Sequence, residues 1–93
     1  MEYTSVAFIT GAAMGIGKVT ALKLADDGFN IAINDLPREK DKLDALAQAI
    51  IQKGRKAIVL VGDVAEEANV AKMVDDVVDQ LGGLDVVRLG SKR

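Results

Sequence analysis

Apolar positions along this chain alternate between two rhythms, short unbroken runs and stripes that recur every three or four residues. Val6-Ala7-Phe8-Ile9 with Thr10, Ile31-Ala32-Ile33, and Ala57-Ile58-Val59-Leu60-Val61 are the unbroken runs. Runs this short, closed by glycine or a turn residue, predict buried strands over Val6 to Thr10, Asn30 to Asp35 and Lys56 to Val61. The third run is apolar at successive positions, as expected of a strand covered on both faces. Between the runs lie amphipathic stretches. Ile16, Val19, Thr20 and Leu24 begin a stripe that predicts a helix from about Gly15 to Asp27, with Gly28 just past its end and Phe29 folding back as the apolar contact. Leu43, Leu46, Ala47, Ile50 and Ile51 follow the i, i+3, i+4, i+7, i+8 spacing of one buried helix face. Pro37 is placed to start that second helix and Gly54 to end it. Val70, Met73, Val74, Val77, Val78 and Leu81 form the most regular stripe, which stops at Gly82-Gly83 before Leu84-Asp85-Val86-Val87 opens a fourth strand.

Strict alternation of strand and helix predicts consecutive right-handed βαβ units around a parallel sheet. The expected fold class is α/β, a partial Rossmann (doubly wound) fold with four strands in the order 3-2-1-4 and three helices. Residues 1–93 form one small domain with no internal repeat, low-complexity tract or linker. In this order the first two helices share one sheet face and the third has the other to itself. The fourth strand is left as an apolar edge, which invites self-association.

Composition narrows the function classes. With 49% hydrophobic and 28% charged residues the chain is of ordinary soluble globular type. A net charge of −2 argues against nucleic acid as partner. The chain has neither cysteine nor histidine, which removes disulfides and thiolate metal sites and argues against zinc. No window approaches the about 18 apolar residues of a membrane span. Glu2 and the lack of a basic leader argue against a secretory signal, so a cytoplasmic location is expected.

The candidate chemistry sits in the turn after the first strand, Thr10-Gly11-Ala12-Ala13-Met14-Gly15-Ile16-Gly17. A glycine-rich passage from strand to helix lets the backbone approach a pyrophosphate, while N–H groups at the helix start point at the anion. The plain alternative is a turn that lets a helix pack tightly on a strand. The spacing is Gly-x-x-x-Gly-x-Gly, and led by Thr10 it resembles the Thr-Gly-x-x-x-Gly-Ile-Gly signature of the short-chain dehydrogenase/reductase family.

Asp35 ends the second strand, at the edge that faces an adenosine ribose in a doubly wound fold. A carboxylate there accepts from both ribose hydroxyls and repels a 2′-phosphate, so NAD is expected over NADP. The alternative is an Asp that merely opens the Asp-Leu-Pro turn. Arg38, on the loop beyond, is a group that could accept a 2′-phosphate. The family resemblance further implies that Asp63 hydrogen-bonds the adenine amino group and that Val64 helps to read the base through its backbone. Here too the alternative is a polar residue serving a strand-to-helix turn. Ala65 stands where a capping Ser, Thr or Asp is usual, and Glu66 and Glu67 suit the helix start electrostatically.

The resemblance runs from Val6 to about Val87 and then stops. Asn-Asn-Ala-Gly is expected next, and Arg88-Leu89-Gly90-Ser91 stands there instead. Family chemistry uses a Ser and a Tyr-x-x-x-Lys pair, the Tyr exchanging a proton with the carbonyl oxygen and the Lys lowering its pKa. Tyr3 is the only tyrosine and Ala7 follows it four residues later, so no catalytic residue is assigned. The resemblance implies the cofactor-binding part of an oxidoreductase moving hydride between NAD and an alcohol or ketone, truncated after the fourth strand. A non-catalytic nucleotide-binding or protein-interaction module is the alternative. A receiver-like domain is disfavoured, because Thr10-Gly11 occupies the place of its acidic cluster.

Overall fold

The unbroken apolar runs become the sheet and the second and third stripes its cover, whereas in the first stripe Ile16 and Val19 are exposed and Gly17, Ala21 and Ala25 are buried instead. In the computed structural model, which describes residues 4–89, β1 (Val6–Thr10), β2 (Asn30–Asp35), β3 (Ala57–Val61) and β4 (Val86–Leu89) pair in parallel. Their order is β3-β2-β1-β4. Three helices alternate with them: α1 (Gly15–Asp26), α2 (Lys40–Gln52) and α3 (Glu67–Leu81). A 3-10 turn over Pro37–Glu39 leads into α2, with the proline at its first position, where a missing N–H costs nothing.

The crossovers set α1 and α2 on one sheet face and α3 on the other, and the core divides accordingly. Ala7, Ile9, Ile31 and Ile33 meet Ala21 and Ala25 of α1 and Leu43, Leu46 and Ile50 of α2. Val6, Phe8 and Ala32 meet Met73, Val77 and Leu81 of α3. Successive strand residues thus serve opposite cores, which explains why β1 and β2 are buried throughout.

Several local expectations shift. β3 is half-buried rather than covered on both faces, because among the described residues it is an edge strand with β2 alone beside it. It also begins at Ala57, not Lys56, and α1 ends at Asp26, one residue early. The Gly28-Phe29 ending is as expected: the Phe29 N–H donates to the Leu24 carbonyl at 3.0 Å, and the ring packs on the core. β4 starts at Val86 rather than Leu84. Leu84 packs toward α3, and Asp85 clamps the amino end of β1 instead, accepting from the Val6 N–H at 2.8 Å and donating its own N–H to the Val6 carbonyl at 2.9 Å. The cap position of α3 is Glu66 rather than Ala65, and no side chain caps it.

Beyond β1, β4 has no partner among the described residues, and its Val87 and Leu89 are 51% and 78% exposed. No helix among the described residues is long and apolar enough to cross a membrane. Glu2, Tyr3 and the stretch Gly90-Ser91-Lys92-Arg93 lie outside the described residues.

Candidate functional site

A parallel sheet delivers the carboxyl ends of all its strands to one edge, and the residues singled out in the sequence gather there. Thr10 is buried where β1 ends. Gly11 and Gly15 follow in left-handed conformations, with φ of +61° and +62°. Such backbone costs a residue with a Cβ roughly 1–2 kcal/mol. Gly17 is needed for a different reason. Its backbone is helical, but a Cβ there would overlap the Gly11 carbonyl oxygen and stand 2.9 Å from the Gly11 carbonyl carbon and 3.0 Å from Ala12 Cα. The first turn of α1 is therefore pressed against the chain leaving β1.

No side chain caps α1, and its first turn carries no acidic residue. Met14, at the cap position, has extended backbone. The N–H groups at the helix start and the positive end of its dipole are thus not answered by the helix's own side chains, a setting suited to an anion. Met14 and Ile16 are exposed apolar groups beside this start, at 53% and 71%. Between the loop and α2 lies a groove of about 480 Å³ lined by Ala13, Met14, Gly15, Lys18, Lys42 and Leu46.

Asp35 stands against the glycine loop, 8% exposed. Its Oδ2 accepts from the Ala13 N–H at 3.0 Å and its Oδ1 from the Leu36 N–H at 2.8 Å. Beside it the Ala12 N–H donates to the Asn34 carbonyl at 2.9 Å. The loop after β1 is therefore stitched to the end of β2. Arg38 lies on the 3-10 turn with its side chain 78% exposed and its Nε 3.8 Å from Glu39 Oε2.

The turn after β3 is drawn to the same edge, since the Gly62 N–H donates to the Asp35 carbonyl at 3.0 Å. Asp63 is exposed and its Oδ1 accepts from the Ala65 N–H at 2.9 Å, so it does serve the turn. That bond also explains the absent cap at Ala65: the chain makes an Asx turn first and enters α3 later. Asn69 Nδ2 donates to the Asp63 carbonyl at 3.2 Å and fastens the turn to α3. Val64 is half-buried against the α3 core.

Sequence reasoning passed over Asn34. It is 2% exposed, with Nδ2 donating to the Leu60 carbonyl at 3.0 Å and the Gly62 carbonyl at 3.1 Å. The available signal was an amide continuing the apolar Ile31-Ala32-Ile33 run, where a polar side chain must find partners inside. Lys40 has its ammonium held above the usual lysine value by a hydrogen bond to Asp44 and by that carboxylate's charge. It is exposed on α2.

Comparison with known proteins agrees with this fold. The sequence matches the short chain dehydrogenase family model over residues 5–90. It is 53% identical over 89 residues to the short-chain dehydrogenase/reductase eriH of Hericium erinaceus, covering 94% of this chain and 35% of that protein. The fold is similar to that of NAD+-bound xylitol dehydrogenase, with a TM-score of 0.83 and 36% identity over 91% of this chain and 32% of the other. A blue fluorescent protein from a metagenomic library, in complex with NADPH, gives a TM-score of 0.87 at 37% identity, over 91% of this chain and 35% of that one. The chain thus spans about a third of the length of these relatives. With the signature turn, the strand order and a family match over nearly all its residues in agreement, the chain belongs to the short-chain dehydrogenase/reductase family of oxidoreductases.

Proposed function

We propose that this chain is the dinucleotide-binding half-domain of a short-chain oxidoreductase that moves hydride between NAD and an alcohol or ketone. The observation that carries this reading is the buried Asp35 carboxylate held against the glycine loop through Ala13. In this reading the pyrophosphate lies at the uncapped start of α1, over Gly11, Gly15 and Gly17, with Thr10, Met14 and Ile16 beside it. Asp35 accepts from the adenosine ribose, and Asp63 and Val64 meet the base. Bound there, the dinucleotide supplies the hydride donor or acceptor; these residues bind and orient it. Absence of cysteine is compatible with a reducing compartment such as the cytoplasm.

Asp35 favours NAD over NADP, because a buried carboxylate beside the ribose meets a 2′-phosphate as a like charge. Arg38 is the counterweight, but it is solvated and already near Glu39. No Tyr-x-x-x-Lys occurs in the 93 residues, so proton transfer at the substrate oxygen belongs to groups outside this sequence. Calorimetric titration tests the assignment. NAD is expected to bind more tightly than NADP, and Asp35→Ala to narrow the gap while weakening NAD by about 1.5–3 kcal/mol. A wild-type preference for NADP would contradict it.

A second reading is a nucleotide-binding or interaction module without chemistry of its own. Val87 and Leu89 lie exposed along a strand whose outer side has no partner among the described residues. We infer that the 93-residue chain associates with a second copy through this edge, since open apolar edges template pairing.

A further inference from the structure

We propose that Asn34 is a positioning residue for base recognition, its buried amide holding the Gly62-Asp63 peptide in the orientation that presents Asp63 and Val64. The inference rests on the reading that Asp63 and Val64 meet the base.

Asn34 Nδ2 reaches four acceptors: the Leu60 and Gly62 carbonyls at 3.0 and 3.1 Å, the Asp35 carbonyl at 3.4 Å and Met73 Sδ at 3.5 Å. The nitrogen must therefore face them, since the amide oxygen would meet only lone pairs. Two of these acceptors lie at different places along the chain. Leu60 belongs to β3, but Gly62 is past its end, because backbone pairing of β2 with β3 closes at Asp35 and Val61. Burial alone explains why the amide must be satisfied. It does not explain why one bond reaches beyond the sheet to the residue before Asp63.

That bond has a geometric consequence. The Gly62 carbonyl and the Asp63 N–H share one planar peptide unit. Fixing the carbonyl on Asn34 fixes the plane from which Asp63 departs. The Gly62 N–H is fixed as well, on the Asp35 carbonyl at 3.0 Å. Gly62 has no Cβ to restrict it, so without these two bonds the turn has wide conformational freedom. An apolar residue at position 34 would fill the space and release the Gly62 carbonyl. Met73 of α3 packs beside the amide and encloses it.

The readout is discrimination between bases. A carboxylate accepts from the exocyclic amine of adenine and repels the carbonyl that replaces it in hypoxanthine. The 93-residue chain and its Asp63→Ala and Asn34→Leu variants would be titrated with NAD, nicotinamide hypoxanthine dinucleotide and NADP. The wild type is expected to prefer adenine by about tenfold or more, as one charge-assisted hydrogen bond implies. Asp63→Ala should abolish that preference. Asn34→Leu should bring it to within about threefold of unity, yet keep the preference for NAD over NADP, which Asp35 sets. Full base discrimination in Asn34→Leu overturns the inference, and so does equal loss of both preferences, which marks general loosening. A wild type indifferent to the base, or an Asp63→Ala variant that stays selective, overturns the assignment of Asp63 itself. Should Asn34→Leu fail to fold, Asn34→Ser carries the test with one donor for two carbonyls. Intermediate base discrimination in it supports the proposal, and unchanged discrimination overturns it.

Discussion

The Ala13 amide donates to the Asp35 carboxylate at 3.0 Å, joining the glycine loop to the end of β2. Asp35 thereby orders the loop while facing the edge where a dinucleotide is proposed to lie. Replacing it should cost stability as well as affinity. Asp35→Ala leaves the Ala13 and Leu36 N–H groups without this acceptor, and a buried unsatisfied donor costs about 1–3 kcal/mol. Asp35→Asn keeps one amide oxygen and should lose less. Thermal unfolding is expected to rank wild type above Asp35→Asn above Asp35→Ala, with each 1 kcal/mol worth roughly 4–8 °C in a domain of this size. An Asp35→Ala variant melting with the wild type would remove the loop-ordering role.

Gly15 and Gly17 answer different constraints, and two substitutions separate them. At Gly15 a Cβ would touch nothing within 4 Å, and the obstacle is the φ of +62°. Asparagine tolerates that conformation better than alanine, so Gly15→Asn should recover part of what Gly15→Ala loses. At Gly17 the obstacle is the backbone of Gly11 and Ala12. Gly17→Ala should lose about 1–3 kcal/mol through overpacking, and Gly17→Asn should recover none of it. Urea denaturation of the four variants checks the pattern. Recovery by asparagine at Gly17 would show that close approach is not the constraint.

Turnover should be absent from the 93-residue chain alone. General acid–base assistance is worth about 10²–10⁴-fold, and the Tyr-x-x-x-Lys pair that provides it does not occur in this sequence. Purified chain given NAD and a panel of small alcohols should reduce no cofactor above background. Steady reduction that follows the chain through gel filtration, with contaminating enzyme excluded, would show that another group does this work.

Self-association should depend on β4. Arg88 lies between the exposed Val87 and Leu89 and offers little protection to the edge. Sedimentation is expected to show dimers or larger species at micromolar concentration, with ANS binding to apolar surface. Val87→Lys with Leu89→Lys should shift the chain toward monomer. A sharp, ANS-silent wild-type monomer would overturn the proposal.

Much of the fold was legible because its signals are local. The three apolar runs and three stripes carry their own periods, and glycines mark the joints. Alternation then implies parallel βαβ units, and once the order is that of a doubly wound fold the right hand of the crossovers sets which face each helix covers. What escaped depends on partners distant in sequence. Asn34 gains its meaning from carbonyls on and beyond β3, and Asp85 from the Val6 amide at the far end of the chain. The exposure of β3 follows from its place at the edge of the sheet, which its own apolar run does not encode. Asp63 also displaced the start of α3, because its side chain took the Ala65 N–H before the helix began. The candidate binding residues were legible as a set, since they stand at strand ends that a parallel sheet brings together. The hydrogen bond from Ala13 to Asp35 was not.

The proposed dinucleotide runs along the carboxyl edge of the sheet, from the start of α1 past Asp35 to the turn after β3. Amide chemical-shift mapping during titration with NAD reads this placement residue by residue. Shifts are expected to concentrate at Gly11 to Gly17, at Asp35-Leu36 and at Asp63-Val64, with those at Leu36 reduced in Asp35→Ala. Shifts confined to α2, α3 or the edge of β4, or none at millimolar NAD, would contradict it.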